Sequence, residues 1–133
     1  MVEELKIPKT FRDWLVWQRA HAFVLAVYKL TEAFPDRELC GLASQMRRAA
    51  ISIAANVAQG FAKRGKAEST RFWSTAEDSV EESRYYLILA QDLGYGSTGE
   101  LMELLKELGV LVKTCSRAMA ASDRISVRQP LKN

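Results

Sequence analysis

The stretch from Ser44 to Gly60, S-Q-M-R-R-A-A-I-S-I-A-A-N-V-A-Q-G, constrains the fold of this chain more than any other. It has no proline and is rich in alanine, so its composition favours a helix. A surface helix of a globular protein is usually apolar along one stripe. In this stretch apolar residues occupy nearly every side, which predicts that the helix is buried on more than one side.

Four helical segments separated by short breaks predict an all-α fold. The first three run from about Thr10 to Phe34, from Leu39 to Arg64 and from Lys66 to Leu93. The fourth follows a capping-box pattern, Ser97 to Glu100, and continues to about residue 121. Long helices with short connections fold most simply as an antiparallel, up-down-up-down four-helix bundle.

An apolar seam with alternating spacings of four and three residues marks the predicted core face of each helix. The seam residues are Val16, Ala20, Phe23, Val27, Leu30 and Phe34; Leu39, Leu42, Met46, Ala49, Ile53, Asn56 and Gly60; Phe72, Ala76, Ser79, Ser83, Tyr86, Ala90 and Leu93; and Leu101, Leu105, Leu108, Val112, Cys115 and Met119.

The 133 residues suit a single domain. We expect an N-terminal arm at residues 1–9, the bundle at 10–121 and a basic flexible tail at 122–133. Charges near the N-terminus argue against a signal peptide, and the apolar runs are too short to cross a bilayer. The sequence therefore predicts a cytoplasmic protein that does not enter a membrane, with Cys40 and Cys115 as free, buried thiols.

A surplus of apolar surface on the first two helices predicts self-association, because monomers rarely expose apolar patches of this size. A stripe beside the first seam includes His21 and Val24, and small residues on the second helix would allow a close approach of backbones. Scattered alanines that only raise helix propensity are the alternative reading. The candidate interface residues are Trp14, Trp17, Tyr28, Ile51, Ala54, Ala55 and Ala58.

The sequence contains no catalytic constellation, so we predict neither an enzyme nor a cofactor. Carboxylates cluster on the third helix, at Glu77, Asp78, Glu81 and Glu82. A di-metal site in a four-helix bundle would need Glu-x-x-His motifs, and this chain has one histidine and no such motif. We therefore predict no metal site.

Polar side chains within the apolar stretch have a structural interpretation instead. We expect Arg47 and Arg48 to meet carboxylates of the third helix, with Arg48 paired to an acid such as Glu82. Asn56 falls on a seam position, where one hydrogen-bond partner would fix the register of the helices.

The basic residues Lys63, Arg64, Lys66 and Arg71 form a cluster between the second and third helices. Together with a formal net charge of +3 and a pI near 9.0, they suggest a surface that binds nucleic-acid phosphates. Ordinary solvation of helix ends is the alternative. In a ring oligomer this cluster would repeat in every subunit and form a continuous belt.

Several segments in order resemble a known family. They are F-R-D-W-L-V-W-Q-R-A from Phe11, F-P-D-R-E from Phe34, G-L-A-S-Q-M-R-R-A-A-I-S-I-A-A-N-V-A-Q-G from Gly41 and S-V-E-E from Ser79. Together they resemble the small bacterial four-helix bundle proteins encoded in intervening sequences of 23S ribosomal RNA genes. This chain departs from the family pattern where Gln59 replaces a glutamate and Asp78 replaces a glycine.

The resemblance implies an antiparallel four-helix bundle assembled as a homopentameric ring. The family is also similar to the accessory variability protein of diversity-generating retroelements, a basic pentamer that binds nucleic acid and a reverse transcriptase. We therefore expect a non-enzymatic ring that binds RNA or DNA through its basic surface. The alternative is a scaffold ring that recruits a polypeptide partner such as a reverse transcriptase.

Overall fold

The protein is described here by a computed structural model, which covers residues 10–121. Within that range the chain is all-helical, with four long helices and no strand, as the sequence predicted. The helices are α1 (Leu15–Thr31), α2 (Leu42–Ala62), α3 (Lys66–Asp92) and α4 (Gly99–Ala121). The predicted arm at residues 1–9 and the predicted tail at residues 122–133 lie outside the described part of the chain.

The four helices form a bundle around one core. Helix α2 packs against α1 and α3, and α4 packs against α3 and α1, so each helix has two neighbours. The α2–α3 pair has the most extensive contact. The largest fully buried side chains are Trp73, Phe23, Ile53, Leu87, Leu105, Leu108, Val27, Val57 and Val112.

The first helix begins later than the sequence predicted. Residues Phe11–Asp13 form a 3-10 turn capped by Thr10, whose hydroxyl accepts a hydrogen bond from the Arg12 N–H at 3.2 Å. The Asp13 carboxylate in turn accepts from the Thr10 N–H at 3.3 Å. Trp14 then adopts an extended conformation (φ −84°, ψ 132°), which separates this turn from α1. Thr10, where the sequence predicted the first helix to begin, therefore caps only a single short turn.

The boundary between α1 and α2 also differs from the prediction. Residues Asp36–Glu38 form a second 3-10 turn, so α2 starts at Leu42 and the expected seam residue Leu39 is exposed. The Glu38 carboxylate accepts from the Leu42 N–H at 3.1 Å and satisfies one of the free donors at the start of α2. Cys40 lies in this connection and is exposed, which corrects the prediction of a buried thiol.

Glycines mark the remaining connections. Gly65, which follows the predicted end of α2 at Arg64, has φ −78° and ψ 136° and directly precedes α3 as its N-cap residue. The predicted break between α3 and α4 is confirmed, because Gly94 and Gly96 have positive φ angles of 77° and 84°. Helix α4 begins one residue later than expected, after Thr98, whose hydroxyl donates to the Gln91 side chain at 2.6 Å.

The core face of α3 agrees with the predicted seam at Ala76, Ser79, Ser83 and Ala90, which are buried, but differs at two large residues. Trp73 and Leu87 are fully buried, whereas Phe72 and Tyr86 are half-buried at the surface. Trp73 fits in the core because Gly60 of α2 has no side chain at that level, where an added Cβ would lie 2.8 Å from the indole Nε1. Cys115 of α4 is likewise half-buried, and burial raises the pKa of its thiol.

Candidate functional site

The predicted basic cluster lies at the junction of α2 and α3. We call Lys63, Arg64, Lys66 and Arg71 the basic patch. The Lys63 ammonium lies 5.4 Å from the centre of the Phe72 ring, and the Arg71 guanidinium carbon lies 5.5 Å from the same centre. Such cation–π contacts hold the cations near one point on the surface. Arg64 and Lys66 are exposed.

Phe72 is the one member of this site that the sequence analysis missed. Its place in the seam suggested a core residue, yet it serves as a platform for two cations. The sequence did contain a signal for this surface role, because Phe72 directly follows Arg71 and directly precedes Trp73. Only one of these two neighbouring rings can face the core of a helical bundle.

The two ends of the bundle differ in charge. Trp14 packs on Phe61 at 4.5 Å and on Trp73 at 5.9 Å, which brings the start of α1 to the end of α2 and the start of α3. At the other end the Tyr95 hydroxyl donates to Glu38 at 3.0 Å. Near the first end the cations are Arg12 and the four residues of the basic patch, and the carboxylates are Asp13 and Glu68. Near the second end the cations are Lys29 and Arg37. The carboxylates there are more numerous: Glu32, Asp36, Glu38, Asp92, Glu100 and Glu103.

A shallow apolar groove of about 310 Å³ runs between α1 and α2. Trp17 stacks on His21 with their ring centres 5.0 Å apart, and Phe11 meets the edge of Trp17 at 5.1 Å. Ile51 is 44% exposed on the α2 side. The lining residues are Phe11, Trp17, His21, Val24, Ile51, Ala54, Ala55 and Ala58. We call this surface the α1–α2 groove.

The α1–α2 groove contains five of the seven candidate interface residues; Trp14 and Tyr28 do not line it. Trp14 instead turns inward onto Phe61 and Trp73, so its ring packs within the bundle. Ala54 lines the groove and is also part of the core, with 9% of its surface exposed. Tyr28 lies at the end of the groove and stacks under Arg47, whose guanidinium carbon is 4.6 Å from the ring centre.

The expected pairing of Arg47 and Arg48 with α3 carboxylates is wrong within the chain. The Arg47 Nε donates to the Thr31 hydroxyl at 2.8 Å, because Thr31 is buried on the adjacent turn of α1. Glu82 accepts instead from the Tyr86 hydroxyl at 2.7 Å. This hydrogen bond is the main cause of a raised pKa of Tyr86, and the positive charge of Arg48 acts in the opposite direction.

Asn56 takes part in a polar contact between α2 and α3. Its side-chain amide donates to the Ser52 carbonyl at 2.8 Å and to the Ser52 hydroxyl at 3.0 Å. The buried Ser79 hydroxyl of α3 donates to the Ser52 hydroxyl at 2.7 Å. Asn56 is therefore linked to α3 through Ser52, and the prediction of a single direct partner across the interface is corrected.

Three members of the acidic cluster of α3, Glu77, Asp78 and Glu81, line a cleft of about 380 Å³ between α3 and α4. Glu81 pairs with Arg84 of its own helix at 3.2 Å. Lys106 and Lys113 of α4 line the opposite wall. Among residues 10–121, no group of three or more histidine, cysteine, aspartate or glutamate side chains has an arrangement that could hold a metal ion.

The helices and their surfaces define a small all-helical bundle protein with a cationic end and an exposed apolar groove. No helix in the described part of the chain is long and apolar enough to cross a membrane. The chain belongs to the 23S rRNA-intervening sequence protein family, whose sequence profile matches residues 12–117. This confirms the family resemblance deduced from the motifs. A search of curated proteins found no match.

Proposed function

We propose that this protein is a non-enzymatic, self-assembling bundle that binds RNA or DNA phosphates through the basic patch. The observation that carries the proposal is the arrangement of Lys63 and Arg71 on Phe72, beside exposed Arg64 and Lys66. Cations concentrated on one end of a bundle attract a polyanion, and the release of its counterions supplies the binding free energy.

The arrangement that we propose for the bundle is antiparallel, up-down-up-down. Two contacts between α2 and α3 support it. The Ser69 hydroxyl donates to the Gly60 carbonyl near the connection, and the Ser79 hydroxyl donates to the Ser52 hydroxyl farther from it. Moving backwards along α2 therefore corresponds to moving forwards along α3, as in a helical hairpin. In a cyclic assembly of such bundles, one face of the ring would carry all the basic patches. The opposite face would carry the acidic ends.

The assembly that we propose is a homopentameric ring formed through the α1–α2 groove. Its support is the exposure of Ile51 beside three alanines in a surface that contains almost no polar lining atoms. Five chains of 15.0 kDa would have a mass of about 75 kDa. Light scattering coupled to size exclusion measures this mass directly, and a monomer at micromolar concentration would contradict the proposed assembly.

Binding is tested with a mixed-sequence hairpin RNA and a DNA duplex of equal length, titrated at several salt concentrations. We expect affinity to fall as salt rises, with a slope of log K against log salt set by the number of phosphates contacted. A variant with glutamine at all four basic-patch positions should lose most of that slope. A two-site patch variant, Arg64→Gln/Lys66→Gln, should already lose part of the slope. The matched variant Lys106→Gln/Lys113→Gln, which removes two cations from the α3–α4 cleft, should retain it.

A scaffold that recruits a polypeptide, such as a reverse transcriptase, is the second candidate. The α1–α2 groove favours it, because apolar grooves on helical proteins commonly accept helices or extended peptides. The resemblance to the accessory variability protein agrees with this function. The nucleic-acid titration distinguishes the two candidates. If affinity does not change with salt concentration, or if nothing binds at about 50 mM salt, the nucleic-acid function is excluded and the scaffold function remains.

A further inference from the structure

The basic patch surrounds an aromatic ring that the fold leaves partly open. Phe72 is half-buried, whereas the neighbouring Trp73 fills the core. The Lys63 ammonium and the Arg71 guanidinium carbon lie 5.4 Å and 5.5 Å from the centre of the Phe72 ring. Both cations are at the ends of long side chains. The site therefore offers positive charge and aromatic surface within one side-chain length of each other.

The segment around this ring is strongly positive. Residues 63–72 contain four cations, which are the members of the basic patch, and a single carboxylate, Glu68. Arg64 and Lys66 are exposed, so they are accessible to an anion that approaches the ring. The charge of the patch selects an anion, and the ring selects an anion that carries a flat apolar group.

Nucleotides combine these two properties, and they expose both of them only when they are unpaired. In a duplex the flat faces of the bases are stacked on one another, so a protein meets phosphates, sugars and base edges. In a single strand or a loop the base faces are free, and they stack on aromatic side chains and on arginine planes. A ring among cations therefore suits unpaired nucleotides and adds little against a duplex.

The length of the patch agrees with a short unpaired segment. From Lys66 to Arg71 is five residues of α3, or about 7.5 Å along the helix axis. A surface of this length contacts only a few phosphates, which limits the electrostatic part of the affinity. Stacked bases add a second contribution at each nucleotide. A single strand therefore needs fewer phosphate contacts than a duplex does.

We propose that the basic patch binds unpaired nucleotides of RNA or DNA, with one base stacked on the Phe72 ring and the flanking phosphates on Lys63 and Arg71. Each of these cations then exchanges its contact with the ring for an ion pair with a phosphate. In a hairpin, the bound part is the loop. This inference rests on the proposed nucleic-acid function and names the form of nucleic acid that the same site takes.

A comparison of single strands with a duplex tests the inference. The single strands are oligothymidylate and oligouridylate of about 12 nucleotides, and the duplex is a blunt-ended DNA of the same length. The duplex carries twice as many phosphates, so electrostatic attraction alone favours it. We expect at least one single strand to bind about fivefold more tightly than the duplex at equal salt, and the preferred strand distinguishes RNA from DNA. A duplex that binds as tightly as both single strands would overturn the inference.

Phe72→Leu tests the role of the ring, because leucine keeps an apolar side chain at this half-buried position. The substitution also releases Lys63 and Arg71, but that change affects the single strand and the duplex alike. We expect the affinity for the single strand to fall about fivefold or more, while the affinity for the duplex changes by less than about twofold. The dependence on salt should persist, because all four cations remain.

Two further variants accompany this test. Tyr85→Leu removes a ring that is 57% exposed on the same helix, outside the basic patch, and should change neither affinity. Phe72→Trp keeps a stacking surface and should bind the single strand at least as tightly as the wild type does. That result is decisive even if circular dichroism shows that Phe72→Leu unfolds. Weaker binding of the single strand by a folded Phe72→Trp protein would contradict the assigned stack.

Failure of the proposed function gives a different result from failure of this inference. If neither the single strands nor the duplex bind at about 50 mM salt, the nucleic-acid function is wrong and the inference is wrong with it. If both bind with a salt dependence that the basic patch sets, but Phe72→Leu weakens both equally or neither, the nucleic-acid function stands and the stacking of a base on Phe72 is refuted.

Discussion

Gly60 permits a close contact between α2 and α3, and replacing it with alanine should destabilise the protein. An alanine Cβ at this position would lie 2.8 Å from the Trp73 Nε1, 3.0 Å from Cδ1 and 3.2 Å from Cε2. All three atoms belong to a rigid ring that is fully buried. The indole cannot retreat easily, because Trp14 packs against it at 5.9 Å.

Two opposing effects set the size of the change. Alanine is favoured over glycine within a helix by about 1 kcal/mol. Overpacking a core costs about 1–3 kcal/mol, and more where neither side can move. Because the neighbour here is a buried ring rather than the end of a flexible chain, we expect the cost to dominate, with a net loss of about 1–2 kcal/mol in the free energy of unfolding. This corresponds to a fall of about 4–8 °C in Tm.

Gly109→Ala is the matched control for this prediction. Gly109 also lies inside a helix, but an added Cβ would meet the Val80 methyl at 3.4 Å, close to ordinary contact. This variant should be neutral or more stable by up to about 1 kcal/mol. Thermal and urea unfolding of both variants give the comparison. A Gly60→Ala protein that is as stable as the wild type would refute the reasoning.

A double-mutant cycle locates the cause of the loss. Trp73→Phe removes the Nε1 atom, which is buried without a hydrogen-bond partner. In that background Gly60→Ala should cost less than it does in the wild type, because the smaller ring leaves room for the methyl group. Equal costs in the two backgrounds would show that the clash with Trp73 does not determine the loss.

Three further results are expected from the polar groups and the thiols. Ser52→Ala should cost about 1–3 kcal/mol in urea unfolding, because it removes the acceptor of the buried Ser79 hydroxyl. Glu82→Ala should lower the pKa of Tyr86 in an ultraviolet titration, because the hydrogen bond that raises it is lost. Cys40 should react with a thiol reagent well before Cys115, whose raised pKa keeps its thiol neutral to higher pH. Because folding raises the pKa of Cys115, its contribution to stability is complete below the ordinary cysteine pKa and is lost as pH rises through the folded value. Identical labelling rates for Cys40 and Cys115 in the folded protein would contradict the expected difference in reactivity.

The number and approximate extent of the helices followed from the sequence, because apolar periodicity and glycine breaks are local signals. The starts of α1 and α2 did not, because 3-10 turns at Phe11–Asp13 and Asp36–Glu38 replace the first turns that were expected. Their caps use side chains whose role depends on geometry, as with Glu38 on the Leu42 N–H. Such choices between two similar local structures are decided by tertiary packing.

The site residues were predicted unevenly for a related reason. The basic patch was recognised from its charge, but the role of Phe72 depended on which of two adjacent rings entered the core. That choice was made by Gly60, thirteen residues away on another helix. The pairing of Arg47 was also missed, since its partner Thr31 lies on α1 and carries no charge.

The surplus of small residues on α2 has two separate explanations in this bundle. Gly60 lets α2 and α3 approach closely at Trp73, and Ala50 is fully buried, so part of the surplus is used inside the chain. Ala55, Ala58 and Ile51 are not used in this way and remain on the α1–α2 groove. An apolar surplus in a sequence therefore does not by itself establish an intersubunit contact. In this chain the argument for one rests on the part of the surplus that the bundle leaves uncovered.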